Sequence, residues 1–244
     1  TTFAQRLASL RKKHHPDAGF YPLTTGVEAL SARLLLIERA ERTLDVQYYL
    51  WGDDPIGDLI FERLFVAADR GVRVRLLLDD IGTRTIEDVL PALAAHPNIE
   101  LRLFNPFANR GFRFFDAWDG LRLNRRMHNK SLTADNEVTI MGGRNIAAEY
   151  FSVNPKYNFG DLDVVGIGAV VPDTSKMFDR YWNDRYSVPY VQLNPDVPTP
   201  AEQADLRASL RGSFATLRES PYADIVGTTY KEFEFTLEEG YFWA

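Results

Sequence analysis

A histidine and a lysine two residues apart begin the stretch of this sequence in which chemistry is most strongly predicted. The stretch follows the pattern H-x-K-x4-D-x6-G-G-x-N, whose fixed residues are His128, Lys130, Asp135, Gly142, Gly143 and Asn145. Ordinary residue usage would produce this pattern in a chain of similar length about once in 100,000 cases. The spacing therefore indicates a site, and not a chance grouping of polar residues.

The residue types at the start of the pattern suit phosphoryl transfer. On a strand, residues i and i+2 face the same side, so His128 and Lys130 are predicted to project into one pocket. An imidazole is a competent nucleophile or proton shuttle near neutral pH. A neighbouring ammonium can hold a phosphate oxygen and stabilise the charge of the transferring group.

The later residues of the pattern are expected to complete a phosphate site. Gly142 and Gly143 allow a close approach of the backbone, and Asn145 can donate its amide to a phosphate oxygen. Asp135 stands in the predicted turn of a hairpin over residues 127–141. We expect this carboxylate to hold the hairpin together through hydrogen bonds more than to face a substrate.

The spacing resembles the phospholipase D superfamily, in which a histidine is covalently phosphorylated during cleavage and transfer of phosphodiesters. Four further segments are similar to the bacterial cardiolipin synthase C branch, namely 46–51, 142–151, 161–164 and 178–183. The resemblance extends over roughly residues 20–190. It is highly specific for the superfamily at the motif and moderately specific for the branch.

The resemblance implies a role for ten residues. It implies catalytic roles for His128, Lys130, Asp135, Asn145 and Asp163, and substrate-binding roles for Gly142, Gly143, Arg144, Arg126 and Tyr48. A nucleophilic histidine needs a carboxylate on its other ring nitrogen, and Asp163 matches the family pattern for this task, with Asp161 as the rival. Tyr48 is most simply a residue of the core or of the pocket wall.

The activity that the resemblance implies is phosphatidyl transfer on phospholipids such as phosphatidylglycerol and phosphatidylethanolamine. Attack by the glycerol hydroxyl of phosphatidylglycerol would form cardiolipin, and attack by water would form phosphatidic acid. The family's covalent route implies neither a cofactor nor a metal. It also implies a peripheral or lipid-anchored enzyme at the bacterial inner membrane, without indicating the side.

The motif occurs once, whereas this chemistry normally uses two copies. The other histidines are His14, His15 and His96, and none has a lysine two positions later. We therefore expect the N-terminal half of a longer enzyme, with the second half in the same polypeptide or on a paired chain. The alternatives are a phospholipase D or nuclease that acts as a dimer, and an inactive membrane-binding half-domain.

Composition narrows the class of protein. The 244 residues are 45% hydrophobic and 25% charged, with a net charge of -6 and no cysteine. This excludes a disulfide framework and a thiolate metal site. The acidic balance makes nucleic acid an unlikely main partner, because such partners select basic surfaces. No apolar run approaches the roughly 20 residues that a membrane span requires.

The elements that must position the motif alternate between strands and helices. Strands are predicted at 44–50, 72–78, 99–104 and 162–171, and helices at 26–37, 55–70 and 85–95. Thr25 and Glu28 form a predicted capping box at the start of the first helix. This order predicts an α/β layered fold with crossover connections. The resemblance implies its phospholipase D-like form, with a mixed, mostly parallel sheet that carries helices on both faces.

Three regions are predicted along the chain. Residues 1–25 form a lead-in, 26–188 the catalytic half-domain, and 189–244 a linker, a helix and the start of a connection to a second half. Within the half-domain, residues 105–126 interleave aromatic rings with arginines. That composition suits a membrane interface, stacking on nucleic acid, or rings packed in the core beneath solvated arginines.

Overall fold

The computed structural model describes residues 1–108, 124–153, 157–236 and 240–244. Helices α1 to α9 span Thr2–His14, Gly26–Arg39, Pro55–Asp69, Leu90–Ala95, Val170–Trp182, Tyr190–Leu193, Pro200–Ser213, Ala215–Arg218 and Pro221–Thr236. Strands β1 to β9 span Ala18–Leu23, Thr43–Leu50, Arg73–Gly82, Ile99–Phe104, Ser131–Ala134, Val138–Gly142, Asp163–Gly168, Ser187–Pro189 and Phe242–Trp243. The predicted α/β alternation is confirmed.

All the strands of the described residues form one sheet, in the order β8-β4-β3-β2-β5-β6-β7-β1-β9. Only the pairs β2–β3 and β3–β4 are parallel, and the other neighbours are antiparallel. The prediction of a mostly parallel sheet is therefore wrong. Parallel neighbours need a crossover such as α3, whereas the tight hairpin β5–β6 can only join antiparallel strands.

Helices cover both faces of the sheet, as predicted. The larger apolar core lies beneath α2, α3 and α4. A smaller cluster on the other face joins α5 to the sheet and consists of Leu77, Phe104, Met127, Phe178 and Trp182. Successive residues of a strand point to opposite faces, so Leu77 packs in the smaller cluster while Leu76 and Leu78 pack in the larger one.

Helices α2 and α3 begin at N-terminal caps formed by residues close to them in sequence. Thr25 Oγ1 accepts a hydrogen bond from the N–H of Glu28, and the Glu28 carboxylate accepts one from the N–H of Thr25. This reciprocal box starts α2 at Gly26. Asp54 caps α3 in a similar way, accepting from Ile56 and Gly57 just after Pro55.

Both predicted flanks contribute to the sheet of the half-domain. Strand β1 of the expected lead-in pairs with β7, and β9 of the expected tail pairs with β1. Helix α9 packs on α2, where Ser31 Oγ donates to Val226 O at 3.2 Å and Tyr230 OH donates to the Glu38 carboxylate at 2.8 Å. The lead-in and the tail thus contact residues 26–188, and the division into three regions stays a prediction.

The aromatic and arginine segment that the sequence places at 105–126 is described at its two ends only. Residues 109–123 lie outside the described part of the chain, so the alternatives for that segment stay predictions. In the described ranges, no helix combines the length and hydropathy needed to cross a bilayer.

Candidate active site

The motif lies at one edge of the sheet, where strands of opposite direction bring its parts together. Ser131 begins β5 and pairs with Gln47 of β2 and with Met141 of β6. Residues 128–130 therefore lie beside the carboxyl end of β2. Gly142, at the end of β6, pairs with Asp163 at the start of β7. Antiparallel pairing thus places the two segments of the pattern at the same edge.

His128 and Lys130 contact each other as predicted. Lys130 Nζ lies 3.2 Å from His128 Nδ1 and donates to His128 O at 2.8 Å. His128 is exposed, whereas the Lys130 side chain is buried against the sheet edge. An ammonium has only donors, so it offers a proton to Nδ1 and leaves the proton of the neutral ring on Nε2.

Tyr49 is a third member of this group, and the sequence reasoning missed it. Its ring centroid lies 4.4 Å from that of His128, and Lys130 Nζ lies 5.5 Å from the Tyr49 centroid. The available signal was the alternation along β2, because a neighbour of the core residue Tyr48 must point to the opposite face. Tyr49 forms one wall against which the imidazole packs.

The charge states of the pair follow from burial and proximity. Partial burial, with the Lys130 cation as a second cause, lowers the pKa of His128 below its ordinary value of 6.5. Burial also lowers the pKa of Lys130, while the carboxylates of Asp161 and Asp163 act in the opposite direction. At neutral pH the imidazole is neutral, which is the state that a nucleophile requires.

Replacing Lys130 with methionine should raise the pKa of His128. The variant keeps the apolar length of the side chain but removes the cation that disfavours a protonated imidazole. A pH titration of the His128 ring by NMR measures the shift. Lys176→Met, which changes an exposed lysine paired with Asp173, serves as the control and should leave the titration unchanged. An unchanged or lower pKa in Lys130→Met would contradict the electrostatic coupling.

The structure gives the Asp163 carboxylate partners other than His128. Oδ2 accepts from Arg33 Nη2 at 2.9 Å, and Oδ1 accepts from the backbone N–H of Arg144 at 3.2 Å. In the described residues no hydrogen bond joins Asp163 to His128. The charges of Asp163 and of its rival Asp161 instead act on Lys130, where they favour the protonated ammonium.

Arg33 is a second residue that the sequence reasoning missed. It lies on α2 with 1% of its side chain exposed, and its partner Asp163 is fully buried. Burial lowers the pKa of Arg33, but Tyr48 and Asp163 outweigh this effect and raise the pKa above its ordinary value. A lone arginine within the apolar run of α2 was the available signal, since buried charges are normally paired.

Tyr48 does not line a substrate pocket. Its side chain is fully buried, and its hydroxyl accepts a hydrogen bond from Arg33 Nε at 3.0 Å. Burial raises the pKa of this phenol, so it stays neutral. The substrate-binding role expected for Tyr48 is therefore wrong because the side chain points into the core, whereas the other suggestion, a core residue, is confirmed.

The two glycines of the motif make room for the acidic residues. A Cβ on Gly142 would overlap the Asp163 carboxylate, and a Cβ on Gly143 would overlap the carboxylate of Asp161. The predicted close approach of backbone is therefore present. In the described structure its partners are these two acids, which lie beside Lys130.

Arg144 and Asn145 are buried and engaged within the protein. The Arg144 guanidinium donates to the backbone carbonyls of Leu23, Thr24 and Tyr150 at 3.1 to 3.2 Å. Asn145 accepts from the N–H of Leu50 at 3.1 Å and donates to the hydroxyl of Tyr150 at 3.0 Å. These bonds fasten the loop after β6 to β1 and β2. The Arg144 guanidinium and the Asn145 amide, which the sequence analysis expected to contact substrate, are thus occupied by these bonds.

Arg126 is also held within the protein. Its Nη1 donates to Asp79 Oδ1 at 3.0 Å and to Asn105 O at 3.1 Å, and its guanidinium lies 5.0 Å from the ring centroid of Phe107. Arg126, the last residue of the 105–126 segment, thus contacts Asn105 at its start. Its substrate-binding role stays a prediction.

Asp135 lies at the end of β5 that is remote from His128. Its carboxylate accepts hydrogen bonds from the backbone N–H groups of Glu41, Arg42 and Thr43 at 2.7 to 3.3 Å. These donors lead into β2. The expected architectural function therefore has its partners in the structure, and it joins the hairpin to the neighbouring strand.

Asp135→Asn should lower the free energy of unfolding by about 1–3 kcal/mol, because it removes the charge of the acceptor and turns an amide donor toward the part-buried N–H of Glu41. Asparagine tolerates the positive φ of 55° at this position, so the backbone itself is not strained. Urea unfolding measures the change. Asn136→Asp, at the exposed neighbouring turn position, should be nearly neutral. Equal losses in both variants would contradict the assigned hydrogen bonds.

A cleft of about 640 Å³ opens beside the motif. Its walls come from the ends of β2 and β3 and from the segment after Asn145, and include Leu50, Ile81, Arg84, Tyr150 and Phe159. The cleft borders the motif at Asn145, whose Oδ1 accepts from the N–H of the lining residue Leu50. Among the described residues its lining includes neither His128 nor Lys130. A more apolar cavity of about 340 Å³ between α2 and α9 shares no lining residue with the motif.

Comparison with known families decides the relationship. A family model described as "Cardiolipin synthase, PLD-like domain" matches residues 34–182, which include the whole motif. The chain belongs to this cardiolipin synthase family of phospholipase D-like domains. The superfamily resemblance read from the motif is thereby confirmed.

Curated relatives in this family are longer than the chain. It is 49% identical to cardiolipin synthase C of Escherichia coli K12 over 220 residues, which are 87% of this chain and 46% of that protein. It is 28% identical to the major cardiolipin synthase ClsA of Bacillus subtilis 168 over 66% of this chain and 32% of that protein. The chain thus spans less than half the length of these cardiolipin synthases.

Two solved structures share the fold. Phosphatidylserine synthase from Haemophilus influenzae Rd KW20 has a TM-score of 0.55 at 14% identity, over 89% of this chain and 48% of that one. NucT from Helicobacter pylori has a TM-score of 0.53 at 15% identity, over 70% of this chain and 98% of that one. At such identities the likeness supports the architecture of the cardiolipin synthase domain.

Proposed function

We propose that this chain carries one half of the active site of a phosphatidyl transferase of the cardiolipin synthase type. The observation that carries the proposal is the His128–Lys130 pair, 3.2 Å apart at an exposed sheet edge, in a member of the cardiolipin synthase family. A neutral imidazole beside a cation matches what covalent phosphoryl transfer requires.

The proposed reaction proceeds in two displacements. In one, a histidine nitrogen forms a bond to the phosphorus of a phospholipid, and the bond from phosphorus to the headgroup oxygen breaks. A second histidine gives a proton to that oxygen. In the other, the hydroxyl of an acceptor attacks phosphorus, its proton returns to the second histidine, and the phosphorus–nitrogen bond breaks. His128 serves as the nucleophile or as the acid/base partner.

Lys130 is proposed to change partners when a phosphate binds. Its ammonium donates to His128 Nδ1 in the described structure, and this keeps the ring proton on Nε2. An anionic phosphate oxygen is a stronger acceptor than an imidazole nitrogen. Once Lys130 turns to phosphate, Nδ1 can carry the proton and Nε2 can attack. Asp163 or Asp161 is proposed to accept a hydrogen bond from this Nδ1–H. Both carboxylates act electrostatically on Lys130.

The proposed partners follow from the same arrangement. Phospholipids such as phosphatidylglycerol and phosphatidylethanolamine are the substrates, and a membrane surface presents them. The second histidine belongs to a second motif, in the same polypeptide or on a paired chain. This fits relatives more than twice as long as the matched segment. The cleft of about 640 Å³ beside Asn145 leaves room for a headgroup.

Lipid mass spectrometry after incubation with vesicles of phosphatidylglycerol and phosphatidylethanolamine tests the proposal. The chain is assayed alone and within the full-length protein, with His96→Ala as a control that changes a histidine outside the motif. A cardiolipin product supports transfer. Phosphatidic acid alone would replace transferase by hydrolase, and no change in any phospholipid with the full-length protein would overturn the proposal.

A further inference from the structure

We infer that Asp79 is a positioning residue for His128, because it holds the backbone immediately before the motif. The inference deepens the proposed function and rests on it for its catalytic consequence. Asp79 stands near the carboxyl end of β3 and is fully buried. It does not touch His128 and acts through the residue between them.

The contacts of Asp79 converge on the chain that leads into His128. Oδ2 accepts from the backbone N–H of Met127 at 2.7 Å, and Oδ1 accepts from Arg126 Nη1 at 3.0 Å. Oδ1 also accepts from the N–H of Ile81 at 3.0 Å, which fixes the carboxylate itself. A short hydrogen bond between an ionised carboxylate and a buried N–H is among the stronger ones.

Met127 transmits this position to the motif. Its side chain is fully buried in the cluster beneath α5, and its Sδ lies 2.9 Å from Gln47 Nε2. On the other side of the motif, Ser131 is already paired within the sheet. His128 and Lys130 thus stand on a three-residue bridge between two anchors. Asp79 provides the backbone contact at the first of these anchors.

Asp80 offers a matched comparison. It is as buried as Asp79 and follows it on β3. Its carboxylate accepts from the backbone N–H of Phe107 at 2.8 Å and from the Thr83 hydroxyl at 3.0 Å. The two acids therefore hold opposite ends of the 105–126 segment by the same chemistry. In the described contacts of these two acids, Asp79 holds the end that continues into His128.

The burial of Asp79 has an electrostatic consequence that supports this reading. Burial raises the pKa of its carboxyl, while the N–H groups of Ile81 and Met127 and the Arg126 cation oppose the rise. Asp79→Asn preserves the size of the side chain but turns one oxygen into an amide donor. That donor would then face an N–H group, and the anchor at Met127 or at Arg126 would be lost.

The test compares Asp79→Asn with Asp80→Asn. In this chain, NMR follows the ring signals of His128, which are shifted by the Tyr49 ring, tilted by 47° at 4.4 Å between centroids. In the full-length enzyme, the lipid assay gives kcat and KM, and thermal unfolding gives the stability of each variant. We expect Asp79→Asn to move the His128 signals and to lower kcat about 100-fold with little change in KM. Asp80→Asn should leave both readouts close to wild type at a similar loss of stability.

Equal effects of the two variants on kcat, or unmoved His128 signals in Asp79→Asn, would overturn the inference and leave Asp79 a structural residue. If Asp79→Asn does not fold, hydrogen exchange in the wild-type chain decides, because the inference requires a strongly protected Met127 amide. Moved His128 signals in a protein whose wild type shows no lipid chemistry would overturn the proposed function and keep the inference.

Discussion

His128→Ala should abolish phosphatidyl transfer in the full-length protein, lowering the rate by about 10⁴-fold or more. The imidazole either forms the covalent bond to phosphorus or moves the proton, and no neighbouring described side chain can substitute for it. The exposed position of His128 means that its removal leaves the apolar core intact. Lipid mass spectrometry measures the loss of product, and thermal unfolding should give a midpoint close to that of wild type.

Two controls make this result decisive. His96→Ala removes a histidine whose ring is paired with Asp69 far from the motif in sequence and should retain the activity. His128→Gln keeps a polar side chain without a basic ring and should be as inactive as His128→Ala. Turnover by either His128 variant within a factor of ten of wild type would remove His128 from the proposed chemistry.

Arg33→Met should be the most destabilising single substitution among the contacts described above, at about 3–5 kcal/mol. The change leaves the buried Asp163 carboxylate without the guanidinium 2.9 Å from it, and leaves the Tyr48 hydroxyl without its donor. Arg144 Nη1 stays 3.5 Å from Asp163 Oδ2, but the buried carboxylate loses its closer cation and a direct hydrogen bond, which the packing of methionine cannot restore. Urea unfolding of the chain, with the slope compared between variants, gives the difference in free energy.

Arg63→Met is the matched control for this prediction. Arg63 pairs with Glu38 at 3.7 Å, and about a third of each side chain is exposed. Solvent screening limits such a pair to about 0–1 kcal/mol. If Arg33→Met costs no more than Arg63→Met, the buried network is not a determinant of stability.

The buried network also shows how Asp163, at the start of β7, can contribute both to stability and to the proposed catalysis. Asp163 begins β7, where a Cβ on Gly142 would collide with it. The same carboxylate balances Arg33 and acts electrostatically on Lys130. A loss of Arg33 should therefore reach the motif through Asp163 as well as through stability.

Local features of this protein could be read from sequence alone. The capping box of Thr25 and Glu28, the helix that begins at Pro55 and the hairpin around Asp135 depend on neighbours within a few residues. The superfamily could also be predicted from the sequence, because its motif is a short series of residues at fixed spacings. The His128–Lys130 contact follows from a separation of two positions.

The partners of the remaining site residues were decided only by the tertiary structure. The sheet is mainly antiparallel, and three of its antiparallel pairs, β2–β5, β1–β7 and β1–β9, join strands far apart in sequence. Tyr48 faces the core while Tyr49 meets His128, a choice set by which face of β2 the helices cover. Arg33 and Asp163 pair across 130 positions of the chain. A buried charge pairs with an opposite charge that the fold places near it. The distance between two such residues in space cannot be predicted from their separation in sequence.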